Sequence, residues 1–182
     1  MADEIERLYN QVLVLRCQAG DHAAFAKLVE QYSPRLRYYL RKMLGVDRAE
    51  DALQNVWLDV FCGITRLSTP AAFTTWVFRI AHNRAHYELR LEYRAVYTSL
   101  KNEHIEVDTD EEEFSAADAE RIHRGLAMLP TMQREVLTLR YFEGMSYEEI
   151  CQVISCPIGT VRSRIYYAKQ ALYAQWEGKG DL

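Results

Sequence analysis

The chain has 182 residues, of which 49% are hydrophobic, and its formal net charge is −4. No stretch approaches the ~20 apolar residues that span a bilayer, and Asp3, Glu4 and Glu6 argue against a signal peptide at the N-terminus. We therefore expect a soluble, cytoplasmic protein made of one domain or two small ones.

Apolar residues recur three and four positions apart through the first hundred residues, which predicts helices. The first runs over residues 3–19, and the second runs from an N-cap at Asp21 to a stop at Gly45. A third helix has one apolar and one polar face, and a long fourth covers about residues 71–97. Prolines and glycines fall between periodic segments, so the predicted fold class is all-α.

Seven acids and little apolar periodicity mark residues 101–117 as a flexible acidic linker. We place the domain boundary there, with small helical domains over residues 1–100 and 118–182. Helices resume near Ala116, and another runs from Pro130 through residue 142. Ser146 with Glu149 has the pattern of a capping box, and Pro157 suits the first position of the last helix.

The last two helices, joined by a tight turn, have the pattern of a helix-turn-helix. With Val161 and Ile165 toward the core, the opposite face of the final helix carries hydroxyls and cations but no acid. Such side chains suit base edges and phosphates in a DNA major groove. The predicted DNA-contacting residues are Gly159, Thr160, Arg162, Ser163, Arg164, Tyr167 and Lys169. The alternative is an ordinary solvated face, although such a face usually mixes both signs of charge.

The fourth helix interleaves aromatic, basic and amide side chains. Aromatic rings stack on unpaired bases and cations hold the backbone, which is how single-stranded nucleic acid is bound. The predicted contact residues are Trp76, Arg79, His82, Asn83, Arg84 and His86. The other interpretation is that the aromatic residues are core, and we expect about half of them to be structural.

The cysteines and histidines give little support for a metal site. The four cysteines form no CxxC pair, which favours reduced thiols; they are Cys17, Cys62, Cys151 and Cys156. His82 and His86 are four apart, but Asn83 stands where an HExxH motif has Glu, and no third ligand is evident. We therefore predict no metal, no cofactor and no enzymatic activity; a metal-dependent hydrolase using these histidines is the alternative that metal analysis would test.

Several motifs, in this order and at this spacing, resemble one family. They are Ala19-Gly20-Asp21, Ala49-Glu50-Asp51-Ala52, Gln54-Asn55-Val56-Trp57, Trp76-Val77-Phe78-Arg79-Ile80-Ala81, Leu129-Pro130, Arg134-Glu135-Val136, Gly144-Met145-Ser146-Tyr147-Glu148-Glu149-Ile150 and Gly159-Thr160-Val161-Arg162-Ser163-Arg164. The chain resembles the extracytoplasmic-function sigma factors, the minimal two-domain members of the sigma-70 superfamily. Where the family often has Gly in the turn before the last helix, this chain has Ser155.

The resemblance implies that the chain binds core RNA polymerase and directs it to promoter DNA. It implies that the third helix docks on a coiled coil of the largest polymerase subunit, through Asp47, Glu50, Asp51 and Gln54. It also implies that residues 64–75 and the fourth helix open and read the −10 element, and that the helix-turn-helix reads the −35 element. The acidic linker matches the segment that threads toward the polymerase active-site cleft.

The same resemblance implies an anti-sigma factor as a partner, although the sequence itself does not show one. It implies no small-molecule substrate and no direct insertion into a membrane. The alternative function is a stand-alone helix-turn-helix regulator, which would leave the acidic face of the third helix and the fourth helix without a use.

Overall fold

The structure, a computed structural model, describes residues 2–98 and 116–177. These residues are helical and contain no strand. The helices are α1 (Ala2–Gln18), α2 (His22–Leu44), α3 (Val46–Gly63), α4 (Phe73–Thr98), α5 (Ala116–Ala127), α6 (Thr131–Leu137), α7 (Tyr147–Ile154) and α8 (Ile158–Glu177). Short 3₁₀ turns at Ile64–Arg66 and Pro70–Ala72 join α3 to α4, and a π-helical turn, Thr138–Phe142, extends α6.

The predicted all-α class is confirmed, and most helix ends fall within two residues of their predicted positions. The expectation that prolines and glycines lie between helices is wrong for three residues: Pro34 is inside α2, Gly125 is inside α5, and Gly159 is inside α8. The long helix predicted over residues 130–142 is also different, since it changes to π geometry at Thr138. Most of the predicted linker, residues 101–115, lies outside the described residues.

The α2 helix forms the centre of the N-terminal part. The Asp21 side chain accepts hydrogen bonds from the backbone N–H groups of Ala23 and Ala24, as expected for an N-cap. Helices α1, α3 and α4 pack around α2, and Tyr39 meets Phe78 edge to face with ring centroids 5.7 Å apart. The Gln18 amide of α1 donates to the carbonyls of Ile64 and Leu67, which fixes the loop that leads into α4.

The C-terminal helices pack together and also against the N-terminal ones. Helix α8 packs on α6 and α7, while α7 lies against α4, and α6 lies against α2. Buried apolar residues run through both parts as one connected cluster. We call this contact between α2–α4 and α6–α7 the docking interface. It places the helix-turn-helix against α4, the helix for which the resemblance implies −10 recognition.

Candidate nucleic-acid interface

The helix-turn-helix is built from local signals that the sequence carries. The Ser146 hydroxyl accepts from the Glu149 N–H at 3.1 Å, and the Glu149 carboxylate accepts from the Ser146 N–H at 2.8 Å, so the predicted capping box is confirmed. Ser155 ends α7 with φ 51° and ψ 48°, in the left-handed region. Pro157 precedes α8 instead of being its first residue, because its carbonyl accepts from Thr160 and Val161; the predicted position is off by one.

One face of α8 is buried and the other is open. Val161, Ile165 and Ala168 are buried, as the helical spacing predicts. Gly159, Arg162, Ser163, Tyr166 and Tyr167 are exposed, and Thr160, Arg164 and Lys169 are half-buried. A Cβ at Gly159 would meet no atom within 4 Å, so this position is open to an approaching backbone. The predicted duplex-contacting residues therefore share one accessible, basic face.

The predicted −10 residues do not share one face. Three of them, Trp76, Asn83 and Arg84, line an open groove together with Asp59, Ile80 and Tyr87. The Arg84 guanidinium donates to the Asp59 carboxylate at 2.9 Å across this groove. Arg79 is exposed and does not line it. The end of α3 fixes one wall, since a Cβ at Gly63 would lie 3.0 Å from the Trp76 ring.

His82 and His86 point instead into the docking interface, at Glu135 of α6. His82 Nδ1 lies 2.7 Å from one carboxylate oxygen, and His86 Nε2 lies 3.1 Å from the other. The Tyr39 hydroxyl donates to the first oxygen at 2.5 Å. Burial alone would raise the pKa of the Glu135 carboxyl, but hydrogen bonds from His82, His86 and Tyr39 outweigh it and lower that pKa to about 2.

Further polar contacts hold the docking interface beside this cluster. Arg35 pairs with Glu143 at 2.7 Å, and the Tyr38 hydroxyl lies 3.1 Å from His123 Nδ1. Arg134 donates to the carbonyl of Lys42, in the last turn of α2. The sequence did not predict these contacts, because an acid such as Glu135 is expected at the surface until its partners are known. Two signals were present in the sequence: Glu135 lies in the Arg134-Glu135-Val136 motif, and an apolar run follows it from Val136.

The acidic face of α3 is mostly free for a partner. Asp47, Asp51 and Gln54 are exposed. Glu50 differs, because its carboxylate pairs with Arg37 at 2.8 Å and with Arg41 at 3.5 Å. Those ion pairs fix the position of the Glu50 side chain, which is still 46% exposed, so all four predicted residues remain accessible. Across the ranges 2–98 and 116–177, no helix is long and apolar enough to cross a membrane.

Two family models match the chain: Sigma-70 region 2 over residues 28–95, and Sigma-70, region 4 over residues 119–172. The ECF RNA polymerase sigma-E factor of Haemophilus influenzae is 33% identical over 92% of this chain and 95% of its own length. The RNA polymerase sigma-H factor of Pseudomonas aeruginosa is 34% identical over 90% of this chain and 91% of its own. The sigma factor RpoE of Bartonella quintana, solved with the anti-sigma factor NepR, is 26% identical and superposes with a TM-score of 0.75, covering 87% of this chain and 98% of that one.

Proposed function

The chain belongs to the sigma-70 family, as a sigma factor of the extracytoplasmic-function group, and we propose that it reads a two-part promoter through α4 and α8. One observation carries the proposal. The basic face of α8 lies in the part of the chain that matches Sigma-70, region 4, and the groove lined by Trp76, Asn83 and Arg84, here called the Trp76 groove, involves α4, in the part that matches Sigma-70 region 2. As a factor of this kind it acts with the polymerase in the cytoplasm and is not itself an enzyme.

The exposed face of α8 suits the −35 element. Arg162 is exposed near the N-terminal end of α8, which is the part of a recognition helix that contacts base edges. Its guanidinium matches the two acceptors of a guanine edge. Ser163 and Tyr167, exposed on the same face, add hydroxyls for phosphates. We propose that Arg162 reads a base and that its exposed neighbours set the register.

The Trp76 groove suits an unpaired base of the −10 element. Its walls combine an indole, the Asn83 amide and the Arg84 guanidinium. A flipped base needs an aromatic or apolar surface for stacking and polar groups at its edge, and this groove has both. Because Arg84 is held by Asp59, its charge is positioned before DNA arrives. We propose that Asn83 makes the base-specific hydrogen bonds there.

We propose that the outward face of α3 docks on the polymerase through Asp47, Asp51 and Gln54. Two exposed carboxylates and one amide favour a partner surface rich in cations, by charge complementarity. Glu50 contributes by holding α3 on α2 through Arg37. An anti-sigma factor is a further proposed partner, because the similar RpoE structure contains one.

The docked arrangement must open for both promoter elements to be read at once. Elements near −10 and −35 are separated by about 85 Å of duplex at 3.4 Å per base pair. A compact globule of this length has a radius of gyration of about 16 Å and a diameter near 40 Å. The 17 residues from 99 to 115 span at most about 60 Å when extended. We therefore propose that polymerase and DNA bind the undocked chain.

Run-off transcription with purified core polymerase on a promoter library tests the proposal. We expect the wild type to initiate at a shared two-part motif. Arg162→Ala should lower initiation by about 5- to 150-fold and relax the preference at one −35 position, since a bidentate base contact is worth about 1–3 kcal/mol. Asn83→Ala should relax the −10 preference and leave the −35 preference unchanged. Lys27→Ala, which removes an exposed cation of α2 outside both surfaces, is the control.

Footprinting without polymerase separates the alternative. A chain that protects duplex DNA alone, yet never makes core polymerase initiate specifically, would be a stand-alone helix-turn-helix regulator. That result would leave the α8 assignments in place and withdraw those for α3 and α4.

A further inference from the structure

The docking interface contains a cluster with the composition of a metal site. His82 and His86 lie four residues apart on α4, and Glu135 comes from α6. Each offers one ligand atom, and these atoms lie within 4.8 Å of one another. Two histidines at i and i+4 on one helix face are a spacing that binds zinc in other proteins. The third ligand is supplied by packing between distant segments, which the sequence pattern alone did not reveal.

The distances are close to those that a tetrahedral ion needs. With metal–nitrogen and metal–oxygen bonds of about 2.0–2.1 Å, neighbouring ligand atoms lie ~3.3 Å apart. His82 lies 2.7 Å from one carboxylate oxygen and His86 lies 3.1 Å from the other, slightly less than this value. One ligand atom from each residue lies within 4.8 Å of the other two. The imidazole rings are also adjacent, with centroids 4.3 Å apart. Small rotations of the side chains would bring all three ligand atoms around one ion, with water as the fourth ligand.

The ligand types also suit metal binding. A metal takes histidine as a neutral ring and glutamate as a carboxylate. The nitrogens of His82 and His86 that face Glu135 already lie within hydrogen-bond distance of its oxygens. Metal binding would replace these two contacts.

The surroundings resemble the outer shell of known metal sites. The Glu135 side chain is 1% exposed, and the Tyr39 hydroxyl donates to one of its oxygens. Outer hydrogen bonds of this kind orient a ligating carboxylate. The histidines remain partly exposed, at 15% and 25%, which gives an ion a route from solvent.

We propose that His82, His86 and Glu135 bind a divalent transition metal such as Zn²⁺, which joins α4 to α6 and holds the docking interface closed. Imidazole ligands suit Zn²⁺, Ni²⁺ and related ions, and two nitrogens with one carboxylate oxygen give a His₂Glu set. The metal is therefore a ligand of the docked chain.

The metal has a consequence for transcription that rests on the proposed function. An ion that binds the docked chain alone stabilises it by the factor 1 + [metal]/Kd. Core polymerase is proposed to bind the undocked chain, so the metal competes with polymerase through the docking equilibrium. The site would make initiation sensitive to the availability of the metal.

Titration of the purified full chain with Co²⁺, followed by its visible absorption and by calorimetry with Zn²⁺, tests the site without polymerase. We expect one equivalent to bind with the absorption of a tetrahedral nitrogen and oxygen site. Glu135→Gln and His86→Gln should each weaken binding by at least about 100-fold, and Tyr39→Phe by about 10- to 100-fold. Circular dichroism checks that each variant remains helical.

Two matched controls guard against adventitious binding. Cys156→Ser tests the thiol that lies near enough to Glu135 to sense its charge, and His22→Asn removes an exposed histidine of α2. Both should bind Co²⁺ like the wild type. No stoichiometric binding, binding unaffected by Glu135→Gln and His86→Gln, or binding lost in Cys156→Ser would each overturn the site.

Binding of the chain to core polymerase, measured with and without Zn²⁺, tests the consequence. At 100 times the metal Kd, the apparent polymerase affinity of the wild type should fall by up to about 100-fold, and that of Glu135→Gln should not change. Metal binding without this effect would keep the site and refute the competition. A chain that binds metal but never binds polymerase would refute the proposed function and leave the metal site standing.

Discussion

Replacing Arg35 by Ala should open the docking interface. Arg35 of α2 holds Glu143, which follows the π-helical turn, through Nε at 2.8 Å and Nη2 at 2.7 Å. The guanidinium also lies over the rings of Tyr32 and Phe78, at 5.3 and 5.8 Å from their centroids. The variant removes the cation and leaves the carboxylate in place.

The size of the effect follows from the burial of the two partners. The Glu143 side chain is 2% exposed and that of Arg35 is 35% exposed. Breaking a buried pair costs about 3–5 kcal/mol because a charge remains unpaired, and the partial exposure of Arg35 favours the lower end. Undocking exposes Glu143 to water and relieves this cost. A change of about 3 kcal/mol shifts the docking equilibrium about 100-fold toward the open form.

The pH dependence gives a second signature of the same variant. Burial raises the pKa of the Glu143 carboxyl, and Arg35 opposes that rise. Without Arg35 the pKa should rise further in the docked form, so the docked form binds a proton that the open form does not. Docking of Arg35→Ala should therefore strengthen as the pH falls toward 5, and the wild type should change less.

Distances between spin labels on Cys62 of α3 and on Met132→Cys of α6 measure the opening. Both positions are exposed, and the other three cysteines are replaced by Ser. The wild type should show a short, narrow distribution, and Arg35→Ala a long, broad one. Arg16→Ala is the control, because its ion pair with Asp21 lies at the solvent-exposed surface and contributes little to stability. An unchanged distribution in Arg35→Ala, or a double-mutant coupling to Glu143→Gln below about 0.5 kcal/mol, would contradict the reasoning.

Three further predictions concern the local signals of α7 and the pH dependence of docking. Ser155→Gly should stabilise the turn by about 1 kcal/mol, because the backbone of Ser155 is in the left-handed region. Calorimetry should show the unfolding midpoint raised by about 2–4 °C. An unchanged midpoint would mean that the turn is not strained. Ser146→Ala should cost about 1 kcal/mol, seen as a roughly fivefold faster hydrogen exchange of the Glu149 amide, while equal rates would refute the role of the cap. Burial and the nearby Arg134 lower the pKa of Lys42 to about 8. Docking is therefore disfavoured below pH 8, where Lys42 is charged, and the free energy of docking becomes more favourable as the pH rises toward 10. Spin-label distances should therefore shorten between pH 7 and 9.5, and Lys42→Met should abolish that change.

Local patterns in the sequence were sufficient for the helices and for the open face of α8. The capping box at Ser146 needs only neighbours within three residues, and the buried face of α8 follows from the spacing of Val161, Ile165 and Ala168. These features depend on short-range geometry, so composition and periodicity reveal them. The resemblance then supplied the order of the regions, which family models match at residues 28–95 and 119–172.

The contacts of the docking interface could not be predicted from the sequence, because the residues that meet there are distant in sequence. Glu135 meets His82 and His86 across 53 and 49 residues, and no periodic signal states which helix an acid will face. The candidate third ligand beside His82 and His86 was missed for the same reason, since Glu135 lies on another helix. The π-helical turn was missed because one extra residue per turn scarcely changes an apolar pattern over five residues.

The two faces of α4 place the predicted −10 residues in different roles. One face forms the groove through residues at helical spacing: Trp76, Ile80, Asn83, Arg84 and Tyr87. His82 and His86 lie on a separate face, toward α6. The groove is therefore accessible in the docked chain, as is the basic face of α8. His82 and His86 can reach DNA only after Glu135 has been released, and release separates a buried carboxylate from three donors. The groove and α8 can each contact DNA before opening, but the two promoter elements can be contacted at once only after it. We therefore expect polymerase and the two-part promoter together to supply that free energy.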